Sequence, residues 1–187
     1  MALARLNRSK KLILDLDRSV SETYGQQEGS QYNGHFGCEC YHPLSCFNQD
    51  GDVEGAMLRN GNVASAHDWP VVRAPVIERY RDLNIGKLFR GDAAFAIPDL
   101  YQFLEAEGFL YAIRLKANAV LQECIAHLLT RPVGRPPDHV RRYYANFSYQ
   151  AGSWSKKRRV VAKVEWHPGE LYPRVGFIVT NLSRPAE

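Results

Sequence analysis

The run Lys11-Leu-Ile-Leu-Asp-Leu-Asp-Arg-Ser19 constrains this chain more than any other stretch. On an extended strand, side chains alternate between faces, so Leu12, Leu14 and Leu16 point one way while Ile13, Asp15 and Asp17 point the other. The leucine face belongs in a core. The second face then carries two carboxylates, which repel each other, and aspartate is a poor strand former. Such a pair calls for a cation, a basic neighbour or water, and a divalent metal is worth following through the rest of the sequence.

The pattern predicts three opening strands over 12–17, 35–44 and 52–58, an antiparallel meander with turns at Asn33-Gly34 and 48–51. A polar, glycine-rich segment, 19–34, separates the first two. The period then changes. Val72, Val76, Tyr80 and Leu83 recur at helical spacing, which predicts a helix over 68–84, with Asp68 as N-cap and Pro70 near its first turn. Pro75 kinks this helix or delays its start. A strand over 87–90 ends at Gly91-Asp92, a helix over 98–108 opens on Pro98-Asp99 and stops at glycine, and 109–115 returns to strand.

That order suits an α/β sheet in which the strand ending at Asp92 lies parallel to the first strand and beside it. Asp17 and Asp92 then approach each other at neighbouring strand ends. Carboxylates so placed suit Mg²⁺ or Mn²⁺, hard cations that take oxygen ligands. Two such ions activate a water or a 3′-hydroxyl and stabilise the leaving oxygen of a phosphodiester.

Beyond Lys116 the sequence predicts a helix over 119–129, a Pro/Gly break over 131–137 and three strands over 140–149, 159–166 and 175–182. Basic residues gather at the start, as Arg5, Arg8, Lys10 and Lys11, and again late, as Arg141, Arg142, Lys156, Lys157, Arg158 and Arg159. Each cluster reads either as a phosphate-contacting surface or as a solvated charged face. Trp154, beside the second cluster, reads either as a stacking platform for an exposed base or as a core residue next to a basic turn.

With 187 residues and 45% hydrophobic composition, the chain holds one substantial core. The first apolar run is broken by Asp15 and Asp17, no later stretch reaches membrane-spanning length, and no cleavage site follows the N-terminus, so a soluble, intracellular, cytoplasmic protein without a membrane partner is expected. Four cysteines make no disulfide scaffold and fit a reducing compartment. His35, Cys38, Cys40 and His42 lack the paired C-x₂-C spacing of zinc sites, so strand packing is their preferred reading. Neither Ser19 nor Ser153 has Ser-His-Asp logic around it, and no P-loop is present.

The run Leu14-Asp-Leu-Asp-Arg-Ser19 is followed in order by Tyr24-Gly-Gln-Gln-Glu-Gly29, Tyr32-Asn-Gly-His35, Cys40-Tyr-His-Pro-Leu44, Leu58-Arg-Asn-Gly-Asn62, Arg90-Gly-Asp-Ala-Ala-Phe95, Phe103-Leu-Glu-Ala-Glu-Gly108, Lys116-Ala-Asn118 and Phe177-Ile-Val-Thr-Asn-Leu182. This succession resembles the DDE transposases of bacterial insertion sequences over nearly the whole chain. The resemblance implies an α/β, ribonuclease-H-like mixed sheet with flanking helices, its first part over 1–118, and a helix and strand-rich insertion over 119–187. It also implies a metal-binding acidic triad. Asp17 matches the first position best, with Asp15 as the alternative or as a residue that tunes charge beside the metal, and Asp92 matches the second. The partners implied are DNA, as terminal inverted repeats and as target, with a homodimer in the full-length complex.

The third acid of the pattern, a glutamate on a helix after the insertion, has no match. Glu187 follows the last strand too closely, and Glu165 and Glu170 fall inside the insertion. The expectation is therefore a truncated catalytic core, without the usual upstream DNA-binding region and weak or inactive alone. The alternatives are a catalytically inert DNA-binding remnant and a general nuclease on the same fold.

Overall fold

Strand β1, Lys11–Arg18, forms where the sequence alternates: Leu12, Leu14 and Leu16 are buried, Asp15 is half-buried and Asp17 is exposed. The structure is a computed structural model that describes residues 11–131, 133–134 and 138–185. The chain divides into two compact units, one up to Phe109 and the other from Leu110.

In the first unit β1 is followed by β2 (Ser21–Glu22), β3 (Gln31–Asn33), β4 (Cys38–Tyr41), β5 (Leu44–Asn48), β6 (Val53–Met57), helix α1 (Trp69–Tyr80), β7 (Gly86–Gly91) and helix α2 (Pro98–Ala106). The main sheet of this unit has the order β6-β5-β1-β7. β5 pairs antiparallel with both β1 and β6, and β7 pairs parallel with β1, as the element order predicts. A second, smaller sheet has the order β2-β4-β3.

The small sheet corrects one expectation. The segment expected as a single strand over 35–44 is two strands in two sheets. Pro43, which has no N–H to give a ladder, stands between β4 and β5, so the chain leaves one sheet there and enters the other. The turn at Asn33-Gly34 exists, closed by the Gly37 N–H on the Asn33 carbonyl at 2.8 Å, but it joins β3 to β4. The turn over 48–51 joins β5 to β6 as expected, with Gly51 at φ 82°.

Helix α1 buries Val72, Val76 and Tyr80 of the stripe that the spacing predicts, with Trp69, Arg73 and Ile77 beside them, and stops at Tyr80 rather than at 84, so that Leu83 lies beyond it and is exposed. Pro75 lies inside the helix and does not delay its start. Asp68 occupies the N-cap position in a left-handed conformation, φ 59°, and makes no capping hydrogen bond. Its carboxylate instead meets His67 Nδ1 at 2.7 Å.

Close packing in this unit depends on glycine. A Cβ on Gly61 would stand 2.3 Å from the Cys40 carbonyl oxygen and 2.4 Å from that of Gln31, both backbone atoms that cannot step aside. Gly61→Ala is therefore expected to cost about 3 kcal/mol, read as a lower urea midpoint with an unchanged denaturant slope.

The second unit holds β8 (Leu110–Leu115), short helices α3 (Ala119–Glu123) and α4 (Ala126–Leu129), β9 (Arg141–Tyr149), β10 (Arg158–Trp166) and β11 (Arg174–Thr180). The last three match the expected strands within two residues. The four strands of the unit run in the order β8-β11-β10-β9, antiparallel throughout. Central β10 buries Val160, Ala162, Val164 and Trp166 in strict alternation. The helix expected over 119–129 is interrupted at Ile125, which leaves helical geometry, φ −120° and ψ 15°, and is fully buried. Among the described residues no helix is long and apolar enough to cross a membrane.

Candidate active site at the paired strand ends

The parallel register of β1 and β7 places the acids. Asp15 pairs with Arg90 and Leu16 with Gly91, so one residue further along both strands Asp17 and Asp92 leave the ladder side by side. Neighbouring strands stand about 4.8 Å apart. Asp17 is exposed, and its Oδ1 accepts the N–H of Arg18 at 2.8 Å. Among the described residues no group holds its other oxygen. Asp92 Oδ1 accepts the Ala94 N–H at 2.8 Å, which fixes the single 3₁₀ turn Ala93–Phe95 that follows β7, and Oδ2 lies 3.6 Å from Arg18 Nε.

Asp15 has a different neighbourhood. Its two oxygens accept from Arg90 Nε at 2.7 Å and Nη2 at 2.5 Å, a two-pronged ion pair across the ladder. This hydrogen bonding raises the Arg90 pKa. Asp15 therefore faces a basic neighbour, while Asp17, on the same face, does not.

Arg18, which approaches Asp92, lies near His42 and Arg59, and the sequence pattern gives none of the three a catalytic role. In the sequence Arg18 serves only to mark Asp17, and adjacency alone cannot reveal which carboxylate an arginine reaches. Arg59, 4% exposed, ties together the loop that precedes α1. Its Nε donates to the His42 carbonyl at 2.9 Å, and its Nη1 donates to the carbonyls of Ala64, Ser65 and His67, the last at 2.6 Å. His42, 2% exposed, lies 3.3 Å through Nδ1 from the Val63 carbonyl, and Phe36 meets its ring edge-on. Burial lowers the His42 pKa, and Arg59 and Arg18 lower it further against the opposing Val63 bond. Cys40, in the same expected strand set, is fully buried, and Cys38 is half-buried.

The late basic cluster separates into two groups. Arg141, Lys156 and Lys157 are exposed. Arg142 is exposed as well and donates to Glu165 at 2.8 Å. Arg158 is buried beneath the Trp154 ring, 5.6 Å from its centroid, and Arg159 donates to the Leu182 carbonyl at 2.5 Å. Trp154 is itself 6% exposed and packs edge-on against Tyr149. Of the early cluster only Lys11 is described; Arg5, Arg8 and Lys10 lie outside the described residues, as does Glu187.

The donor set fits a hard divalent ion. Asp17 and Asp92 offer oxygens at the ends of two hydrogen-bonded strands, and oxygen-only donors are what Mg²⁺ and Mn²⁺ take. Among the described residues no group of three His, Cys, Asp or Glu comes together as a metal site.

None of the curated proteins compared with the chain matches it. A family match is nonetheless clear, and it agrees with the mixed sheet, its parallel β1–β7 pair and its helices, which are those of a ribonuclease-H-like fold. The transposase DDE domain, group 1, matches residues 3–187, and the chain belongs to this family of DNA-cleaving phosphoryl-transfer enzymes.

Proposed function

We propose that this chain cuts and joins DNA at insertion-sequence ends, with Asp17 and Asp92 as the catalytic carboxylates that hold Mg²⁺ or Mn²⁺. The observation that supports the reading is the register of β1 against β7, in which Asp17 and Asp92 directly follow the paired residues Leu16 and Gly91. When bound, the metal lowers the pKa of the attacking water or 3′-hydroxyl and stabilises the leaving oxygen. Asp17 and Asp92 contribute negative charge on fixed strand ends, and the Ala94 N–H holds the Asp92 carboxylate in orientation. Asp15, neutralised by Arg90, adjusts the charge beside them.

Arg141, Lys156 and Lys157 contact the DNA backbone in this reading. Arg142, Arg158, Arg159 and Trp154 shape the surface that presents them. The expected partners are terminal inverted repeats and target DNA, bound by a homodimer in the bacterial cytoplasm.

The test is incubation with a duplex carrying inverted-repeat ends, with and without Mg²⁺. Weak cleavage at the repeat boundary, dependent on metal, is the expected result. Equal cutting of a random duplex would make the protein a general nuclease. Salt-sensitive DNA binding without any cleavage would make it a catalytically inert remnant.

A further inference from the structure

We infer that Arg18 takes a phosphate oxygen of the DNA strand at the acid site, an inference that rests on the transposase reading above. Arg18 follows Asp17 directly and reaches towards Asp92, yet its Nε completes no hydrogen bond there. This Nε is shielded from water, and Asp92 Oδ2 stands 3.6 Å away, beyond hydrogen-bond reach. A shielded guanidinium N–H without an acceptor is costly, and an oxygen arriving between Arg18 and the acids would satisfy it. The side chain remains 27% exposed, so an anion has access to it.

The surroundings favour an anion over a further carboxylate partner. The His42 N–H donates to the Arg59 carbonyl at 2.9 Å, and Arg59 Nε donates back to the His42 carbonyl at 2.9 Å, which locks these two buried residues together. Arg18 lies opposite Leu44, two residues from His42, and the Ser19 N–H reaches the Pro43 carbonyl at 3.3 Å. The positive charge of Arg59 is therefore fixed close behind Arg18. Arg59 Nη2 and His42 Nε2 are also shielded and without a hydrogen-bond partner among the described residues. His42 Nδ1 donates to the Val63 carbonyl, and burial, with Arg59 and Arg18 nearby, disfavours a second positive charge on its ring.

A phosphodiester approaching Asp17 and Asp92 is repelled by both. Arg18 offsets that repulsion at the place where it acts, and a guanidinium matches phosphate geometry better than an ammonium does. Arg59 is fastened to four backbone carbonyls and cannot follow, so it sets the direction in which Arg18 presents its charge.

Binding of a 30-base-pair DNA duplex in EDTA, measured by fluorescence anisotropy across a salt series, tests this without any catalytic turnover. Arg18→Gln is expected to make the slope of log affinity against log salt shallower by about 0.9, one phosphate contact, and Arg18→Lys to restore most of it. The alternative role, a pin that only orients Asp92, predicts an unchanged slope in a folded Arg18→Gln protein. That result would overturn the inference and leave the transposase reading standing. Failure of the parent protein to bind the duplex at all would overturn both.

Discussion

Asp17→Asn and Asp92→Asn are each expected to reduce Mg²⁺-dependent strand cleavage by roughly 10³-fold, a loss of about 4 kcal/mol of transition-state stabilisation. Each change removes a charge while keeping an acceptor oxygen. In the Asp92→Asn variant the amide carbonyl still accepts the Ala94 N–H, so the turn after β7 survives, and Asp17 is exposed enough that its loss costs the fold little. Calorimetric titration with Mg²⁺ should show weaker binding in both variants. If the two acids share one site as proposed, the double variant should lose less than the sum of the singles. Unchanged metal affinity and cleavage in a folded Asp17→Asn protein would shift the first catalytic position to Asp15. In that case Arg90 would have to give up the two-pronged pair it now makes.

Much of this site is legible in the sequence because it depends on period and punctuation. A strand of period two with leucines on one face has only one way to sit on a core, so Asp15 and Asp17 have to share the other face. Gly91-Asp92 at a strand end, with a helix on each side of that strand, makes a parallel neighbour the economical topology. What the sequence does not reveal depends on contacts between residues far apart. The burial of Arg59 follows from four carbonyls presented by His42 and the loop over 64–67, and no local pattern encodes that. Residues 19–34 read as loop because strands of two and three residues carry too little alternation to be seen. Pro43 is in plain view. The apolar and aromatic residues on both sides of it suggest one strand, and the missing N–H outweighs them. Trp154 and Arg158 sit beside exposed lysines in sequence but are inside the second unit, a distinction set by β9 and β10 packing rather than by charge order.

Arg73→Met is expected to stabilise the protein by about 2 kcal/mol or more, roughly 4–8 °C in Tm for a chain of this size. Arg73 lies in the buried stripe of α1 with 0% exposure, and none of its three guanidinium nitrogens has a hydrogen-bond partner among the described residues. The buried carboxylate of this unit, Glu54, is already committed to Arg79 at 2.6 Å and to Asn48 at 2.9 Å. What Arg73 has instead is the face of Phe89, 3.9 Å away, with Phe109 and Phe103 at 5.5 and 5.9 Å. Stacking of a cation on aromatic rings returns about 2 kcal/mol, less than the cost of a desolvated, unpaired charge. Methionine keeps the length and the aromatic contact without that charge. Burial pushes the Arg73 pKa well below the usual guanidinium range, to about 9, opposed by nearby Cys46. The unfolded chain holds this proton to far higher pH, whereas the folded protein releases it above about 9, so the penalty is full at pH 7 and is relieved as pH rises. The advantage of the variant over the parent should therefore narrow by about 1 kcal/mol between pH 7 and pH 10, measured by urea unfolding at both. A variant less stable than the parent at pH 7 would mean that water or an anion satisfies the guanidinium inside the core. The three phenylalanines would then line a polar site rather than a misplaced charge.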